Sequence, residues 1–113
     1  MAKLDEVVAE ARAVALAESL HLVELDRTDY AIKMRLSIDH EIFIQIYANE
    51  TSDKLNLALI VQGKRIYGFD REGGFYHLYP FLDIHQRIPA DSPKSITAFA
   101  KESLALLTET GLL

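Results

Sequence analysis

Between residues 4 and 20 the apolar side chains Leu4, Val7, Val8, Ala11, Val14 and Ala15 recur at helical spacing, with Asp5, Glu6, Glu10, Arg12 and Glu18 on the other face. The spacing predicts an amphipathic helix, favoured further by its alanines and by acids placed early against the N-terminal end of the macrodipole. After His21 the period changes to two. A short strand is expected over 22–26, and then Tyr30, Ile32, Met34, Leu36 and Ile38 alternate with Lys33, Arg35, Ser37 and Asp39. Residues 41–48 repeat the pattern, Ile42, Ile44 and Ile46 alternating with Phe43, Gln45 and Tyr47. Both segments read as half-buried antiparallel strands.

The two strands predict a hairpin whose register follows from the pattern itself. A two-residue loop at Asp39 and His40 sets Arg35 opposite Ile44 and Lys33 opposite Ile46, which mixes charges and isoleucines on one face. A three-residue loop of Asp39, His40 and Glu41 pairs Leu36 with Ile44 and Met34 with Ile46 inside, and Arg35 with Gln45 and Lys33 with Tyr47 outside. The second register is the expected one, and it asks His40 or Glu41 to take a left-handed conformation.

Further along, residues 49–53 form a polar turn, and 55–61 a strand with Leu55, Leu57, Leu59 and Val61 on one face. Gly63 marks a tight turn, 65–70 a strand, 71–74 a glycine-containing turn, and 75–79 a last strand stopped by Pro80. Residues 81–91 read as an irregular loop. Ser92-Pro93 is a helix start, with the hydroxyl as N-cap and proline at the first helical position. Ile96, Phe99, Ala100, Leu104, Leu106 and Leu107 carry its apolar stripe to a stop at Gly111. The expected fold is α+β: an antiparallel meander of five or six strands flanked by N- and C-terminal helices, forming a single domain over 1–113.

Helices on one face leave the other sheet face with Phe43, Tyr47, Ala58 and Ile60 among Lys33, Arg35 and Gln45. Partial cover by a second copy, a two-fold homodimer, is the expected remedy for so apolar a mixture. There are no cysteines, which removes disulfides, thiolate metal sites and cysteine nucleophiles. The N-terminus lacks the apolar core of a signal peptide, and no apolar run approaches the ~20 residues that span a bilayer. A cytoplasmic protein with no membrane partner is therefore expected.

The net charge of −5 argues against a general nucleic-acid coat. The charge is uneven, however. Residues 1–26 carry two basic against six acidic side chains, whereas 62–88 carry four basic against three acidic. Lys64, Arg65, Arg71 and Arg87 are thus available to a phosphate in the least acidic part of the chain.

That part also holds the candidate chemistry. Residues 65–85 concentrate glycines, aromatics, acids and imidazoles, with Asp70, His77, Asp83 and His85 as reactive groups. The histidine spacing matches no zinc signature, no serine lies in a glycine-flanked elbow, and Gly73-Gly74 lacks a phosphate-loop context; no metal or other cofactor is expected. General acid–base chemistry on a phosphodiester is the most coherent active reading. His77 and His85 would be acid and base, Asp70 would orient an imidazole, and Arg65 or Arg71 would bind the phosphate of RNA. The alternative is a non-catalytic homodimeric binding protein in which this segment is structural.

The stretches Phe43-Ile44-Gln45-Ile46-Tyr47-Ala48-Asn49, Leu57-Ala58-Leu59-Ile60, Arg65-Ile66-Tyr67-Gly68-Phe69-Asp70 and Gly74-Phe75-Tyr76-His77-Leu78-Tyr79-Pro80 resemble small prokaryotic proteins grouped around the TumE-type toxins. The likeness covers about residues 41–85. It implies a toxin-like component of a toxin–antitoxin pair acting on RNA, with an antitoxin protein as partner. Carried over residue by residue it selects Asp70, His77 and Pro80. Tyr79 stands where the family pattern has a second imidazole, so an imidazole pair would need His85 as substitute.

Overall fold

The computed structural model describes residues 3–83 and 85–113, so position 84 of the expected 81–91 loop and the first two residues lie outside the described part. The elements run α1 (Leu4–Ala17), β1 (His21–Arg27), β2 (Ala31–Asp39), β3 (Ile42–Asn49), β4 (Lys54–Val61), β5 (Lys64–Glu72), β6 (Phe75–Tyr79), β7 (Ile88–Ala90) and α2 (Ile96–Glu109). The strands form one antiparallel sheet in chain order. The α+β class and the meander are as expected, but the sheet has seven strands rather than five or six. The additional strand, β7, lies inside the expected loop. It is three residues long and contains Pro89, too short to show a period, and it is held by pairing Ile88 with Leu78 and Ala90 with Tyr76.

The β2–β3 register is the one expected, with Leu36 opposite Ile44, Met34 opposite Ile46, Arg35 opposite Gln45 and Lys33 opposite Tyr47. The turn is built differently. The register shifts between Ser37 and Asp39, so a bulge at Ile38 absorbs the odd residue and neither His40 nor Glu41 takes a positive φ. At β4–β5, Gln62 (φ 51°) and Gly63 (φ 77°) form the two-residue left-handed turn that matches strand twist.

Alternation divides the sheet into two faces. The inner one buries Ile32, Met34, Leu36, Ile42, Ile44, Ile46, Leu55, Leu57, Leu59, Tyr67 and Phe69 under the helices. From α1 come Leu4, Val7, Val8, Ala11 and Val14, and from α2 Ile96, Phe99, Ala100 and Leu107. The Phe99 ring stacks on Tyr67 at 4.9 Å between centroids. Helix α1 ends at Ala17, before the expected residue 20, where Ser19 turns left-handed (φ 57°).

Helix α2 starts three residues later than expected. Its N-cap is Ser95, whose hydroxyl accepts from Ala98 N at 3.0 Å, and Ser92-Pro93 lies in the lead-in. Helix formation begins where an apolar anchor does, at the buried Ile96. A second acceptor fixes that end: Glu10 of α1 takes hydrogen bonds from Thr97 N and Thr97 Oγ1, both 2.9 Å. Among the described residues no helix is long and apolar enough to cross a membrane.

Candidate functional site

Among the described residues no helix covers the outer face of the sheet, and its side chains line up in rows set by the register. One row runs Lys33, Tyr47, Asn56, Asp70, His77 across β2 to β6. The next runs Arg35, Gln45, Ala58, Gly68, Tyr79. Asp70 and His77 are directly opposed because the β5–β6 hairpin turns at Gly73 and Gly74, with Glu72 paired to Phe75.

The two side chains meet. His77 Nδ1 lies 3.4 Å from Asp70 Oδ1, each side chain only about a fifth exposed (21 % and 22 %), so water screens the pair incompletely. The contact is too poorly aligned to count as a hydrogen bond, and Asp70 Oδ1 has no other partner. The second oxygen, Oδ2, accepts from the Tyr79 hydroxyl at 2.8 Å. Arg87 Nη2 sits 3.2 Å from His77 Nδ1. One nitrogen therefore faces both a carboxylate and a guanidinium: without a proton it accepts from Arg87, and with one it needs a small realignment of the pair to donate to Asp70. Nε2 of the same ring has no partner among the described residues. Burial, and after it the hydrogen bond to Asp70, raise the Tyr79 hydroxyl pKa above its ordinary 10.0 against the opposing pull of Arg87. Tyr79 is held as a neutral donor to the carboxylate.

Arg65 reaches this cluster through a bulge. Simple alternation along β5 puts it on the inner face with Tyr67 and Phe69, but the register shifts between Leu59 and Ile60, leaving Ile66 unpaired and Arg65 opposite Ile60 on the outer face. Its guanidinium lies 4.4 Å from the Tyr79 ring centroid. The Ile66 carbonyl accepts from Leu82 N at 2.7 Å, anchoring the turn that leads to Arg87. A Cβ at Gly68 would crowd the Leu57 carbonyl oxygen at 3.3 Å and would meet Tyr79 Cδ2 at 3.4 Å and Arg65 Cδ at 3.6 Å as ordinary contacts. Beside the cluster, Ser52, Glu72, Gly73, Gly74, Phe75, His77 and Arg87 line a shallow hollow of about 450 Å³. Phe75 is 75 % exposed at its wall.

Of the residues predicted from sequence, Asp70, His77 and Arg65 come together here. Arg71, next to Asp70 in a strand, points to the inner face and pairs with Asp53 at 3.2 Å. His85 is exposed in the turn before β7, and no hydrogen bond or ion pair among the described residues joins it to Asp70 or His77. Tyr79 and Arg87 complete the cluster instead. Tyr79 was legible as the residue two after His77, hence on the same strand face. Arg87 was not, because nothing local places a loop residue against His77.

The larger hollow, about 730 Å³, lies on the inner side between the helix starts and β4 to β7. Its principal charged groups are paired with protein: Arg71 with Asp53, Glu10 with Thr97, and Lys94 with Glu102 at 2.6 Å. Tyr67 joins the last pair, donating to Glu102 Oε2 at 3.2 Å and accepting from Lys94 Nζ at 3.3 Å. It is a structural network. Among the described residues no three His, Cys, Asp or Glu side chains are grouped as metal ligands. No family model, no curated protein and no solved structure matches the chain.

Proposed function

We propose that the outer sheet face cleaves RNA by general acid–base transfer at His77, with Asp70 orienting and stabilising the imidazole, Tyr79 pinning Asp70, and Arg65 and Arg87 binding the phosphate. One observation carries this reading: an imidazole with a free Nε2, a carboxylate behind it, one guanidinium beside it and a second over the neighbouring Tyr79 ring share one uncovered face. As substrate phosphate draws Arg87 off Nδ1, the ring changes tautomer through solvent, giving up the proton on Nε2 and taking one on Nδ1. Nδ1 then realigns to donate to Asp70 and leaves Nε2 as the base. The 2′-hydroxyl gives its proton to Nε2 as its oxygen attacks phosphorus, and the bond from phosphorus to the 5′-oxygen breaks. The 5′-oxygen takes its proton from the imidazolium just formed. The products are a 2′,3′-cyclic phosphate and a 5′-hydroxyl, and His77 returns to its neutral form.

This chemistry suits a toxin-like protein, the setting that the likeness over 41–85 implies, with an antitoxin as the partner that silences it. The test is cleavage of an RNA dinucleotide by the wild-type chain beside His77→Ala, with growth and RNA integrity followed on inducible bacterial expression. Loss of a general base lowers the rate by roughly 10²–10⁴-fold. Intact dinucleotide, with wild-type cells growing normally, rules out the catalytic reading.

A further inference from the structure

We infer that the outer sheet face beyond the cluster is a binding track for single-stranded RNA, extending from His77 across β5, β4 and β3 to Lys33. The inference rests on the proposed chemistry for its register, but on separate observations for its existence.

Charge is the first. The chain as a whole is acidic at −5, yet the outer face sets Lys33, Arg35, Lys54, Arg65 and Arg87 against Asp26, Asp70 and Glu72. Lys54 is paired with Glu72 at 3.8 Å, Asp26 stands opposite Lys33, and Asp70 belongs to the cluster with His77 and Arg87. Five basic against three acidic side chains leave the face an excess of two positive charges. The acidic excess of the chain therefore lies elsewhere, and the uncovered face is its basic side.

Aromatic placement is the second. Tyr47 stands in the row of His77 with Asn56 between it and Asp70, while Tyr79 and Phe43 occupy neighbouring rows. The Arg35 guanidinium is held 3.8 Å above the Phe43 ring, and its Nε has no partner. Rings and flat guanidiniums interleaved with cations on a sheet are what unpaired bases and their phosphates require: stacking surfaces at intervals and charge between them. A duplex shows no base faces to such a platform.

Dimensions are the third. From β2 to β6 is four strand spacings, or ~19 Å. A dinucleotide held at His77 does not reach Lys33, so the far end of the row serves only a longer strand. A second copy of the chain fits the face less well. Sheet-on-sheet packing of a two-fold dimer sets this basic face against itself.

The experiment measures binding of a labelled mixed-sequence RNA decamer to His77→Ala protein, which leaves the strand uncut, against a background of salt titration. Added to that protein, Lys33→Glu and Tyr47→Ala are each expected to weaken binding roughly ten-fold, and Lys33→Glu to lower the salt slope by about 0.7. Lys101→Glu makes the same charge change on α2 and is the control that leaves binding as it was. Thermal melts confirm that each variant is folded. Decamer binding indifferent to Lys33→Glu and Tyr47→Ala, equal loss with Lys101→Glu, or duplex RNA bound as tightly as the single strand overturns the track. So does a dimer in sedimentation that Tyr47→Ala dissociates while RNA fails to bind. Dinucleotide cleavage by wild-type protein is scored separately: its absence removes the proposed chemistry and leaves the binding result to decide the track alone.

Discussion

Replacing Glu10 by alanine removes a side chain that ties the first helix to the start of the last. Its Oε2 accepts two hydrogen bonds of 2.9 Å, from the amide and the hydroxyl of Thr97, at the N-terminus of α2. A charge-assisted hydrogen bond contributes about 1.5–3 kcal/mol, and an anion at a helix N-terminus about 0.3–1 kcal/mol. Glu10 lines the inner hollow, where water can take over part of its role, so the low end applies. Glu10→Ala is expected to lose about 2 kcal/mol, or about 8 °C in melting temperature at ~4 °C per kcal/mol. Glu10→Gln keeps an acceptor but not the charge and is expected to lose about half as much. Urea unfolding of the wild type, Glu10→Ala, Thr97→Ala and the double variant isolates the pair, with an expected coupling of about 1 kcal/mol. Additive effects in that cycle, or Glu10→Ala within about 0.5 kcal/mol of the wild type, would refute the tertiary cap, the latter lying inside the usual scatter for surface substitutions.

Ser95→Ala should cost ~1 kcal/mol through the lost bond to Ala98 N, while Ser92→Ala should leave the urea midpoint unchanged; the reverse order would restore the earlier helix start. Ser103 is fully buried and its hydroxyl has no partner among the described residues, so Ser103→Ala is expected to stabilise the fold by about 1 kcal/mol, and a lower melting temperature would reveal a hidden acceptor. Burial raises the Tyr67 pKa above its ordinary 10.0; burial lowers that of Lys94, but its hydrogen bonds to Glu102 and Tyr67 outweigh this and raise it above 10.5. A group with a raised folded-state pKa contributes stability that is intact below its unfolded-state value and lost as pH rises through the folded one. Urea midpoints should therefore hold steady up to about pH 10 and fall above it, the fall being smaller in Tyr67→Phe; an equally steep fall in that variant would count against the network.

The β2–β3 register was legible because one alternative mixed arginine and lysine with isoleucine on a single face, a conflict that needs no tertiary information. The start of α2 was not, since Ser92 and Ser95 are both competent caps and Pro93 favours the first; the choice is made by the buried Ile96 and by Glu10, far away in the chain. The opposition of Asp70 and His77 follows from a two-residue turn at Gly73-Gly74, and the same alternation already assigns Arg71 to the other face. Arg65 shows the limit of such reasoning. Only the bulge at Ile66 turns it outward, and no residue pattern in 64–72 announces a bulge.

That bulge and Gly68 are two local departures from a regular strand within four residues of Asp70, and the packing of the core does not explain the bulge. Tyr67 and Phe69 bury their rings on the inner face opposite Leu59 and Leu57 by ordinary alternation. A glycine inside a strand costs roughly 0.5–1 kcal/mol relative to alanine, and a bulge leaves a residue out of the ladder. What the bulge achieves lies on the outer face, where it brings in Arg65 and holds the loop through the Ile66 carbonyl; a Cβ at Gly68 on that same face would crowd the Leu57 carbonyl oxygen at 3.3 Å. Strands depart from regularity in this way next to binding and catalytic groups, where local rules yield to the placement of particular side chains. The arrangement of β5 thus points to the same face as the Asp70–His77 pair, by a route independent of that pair.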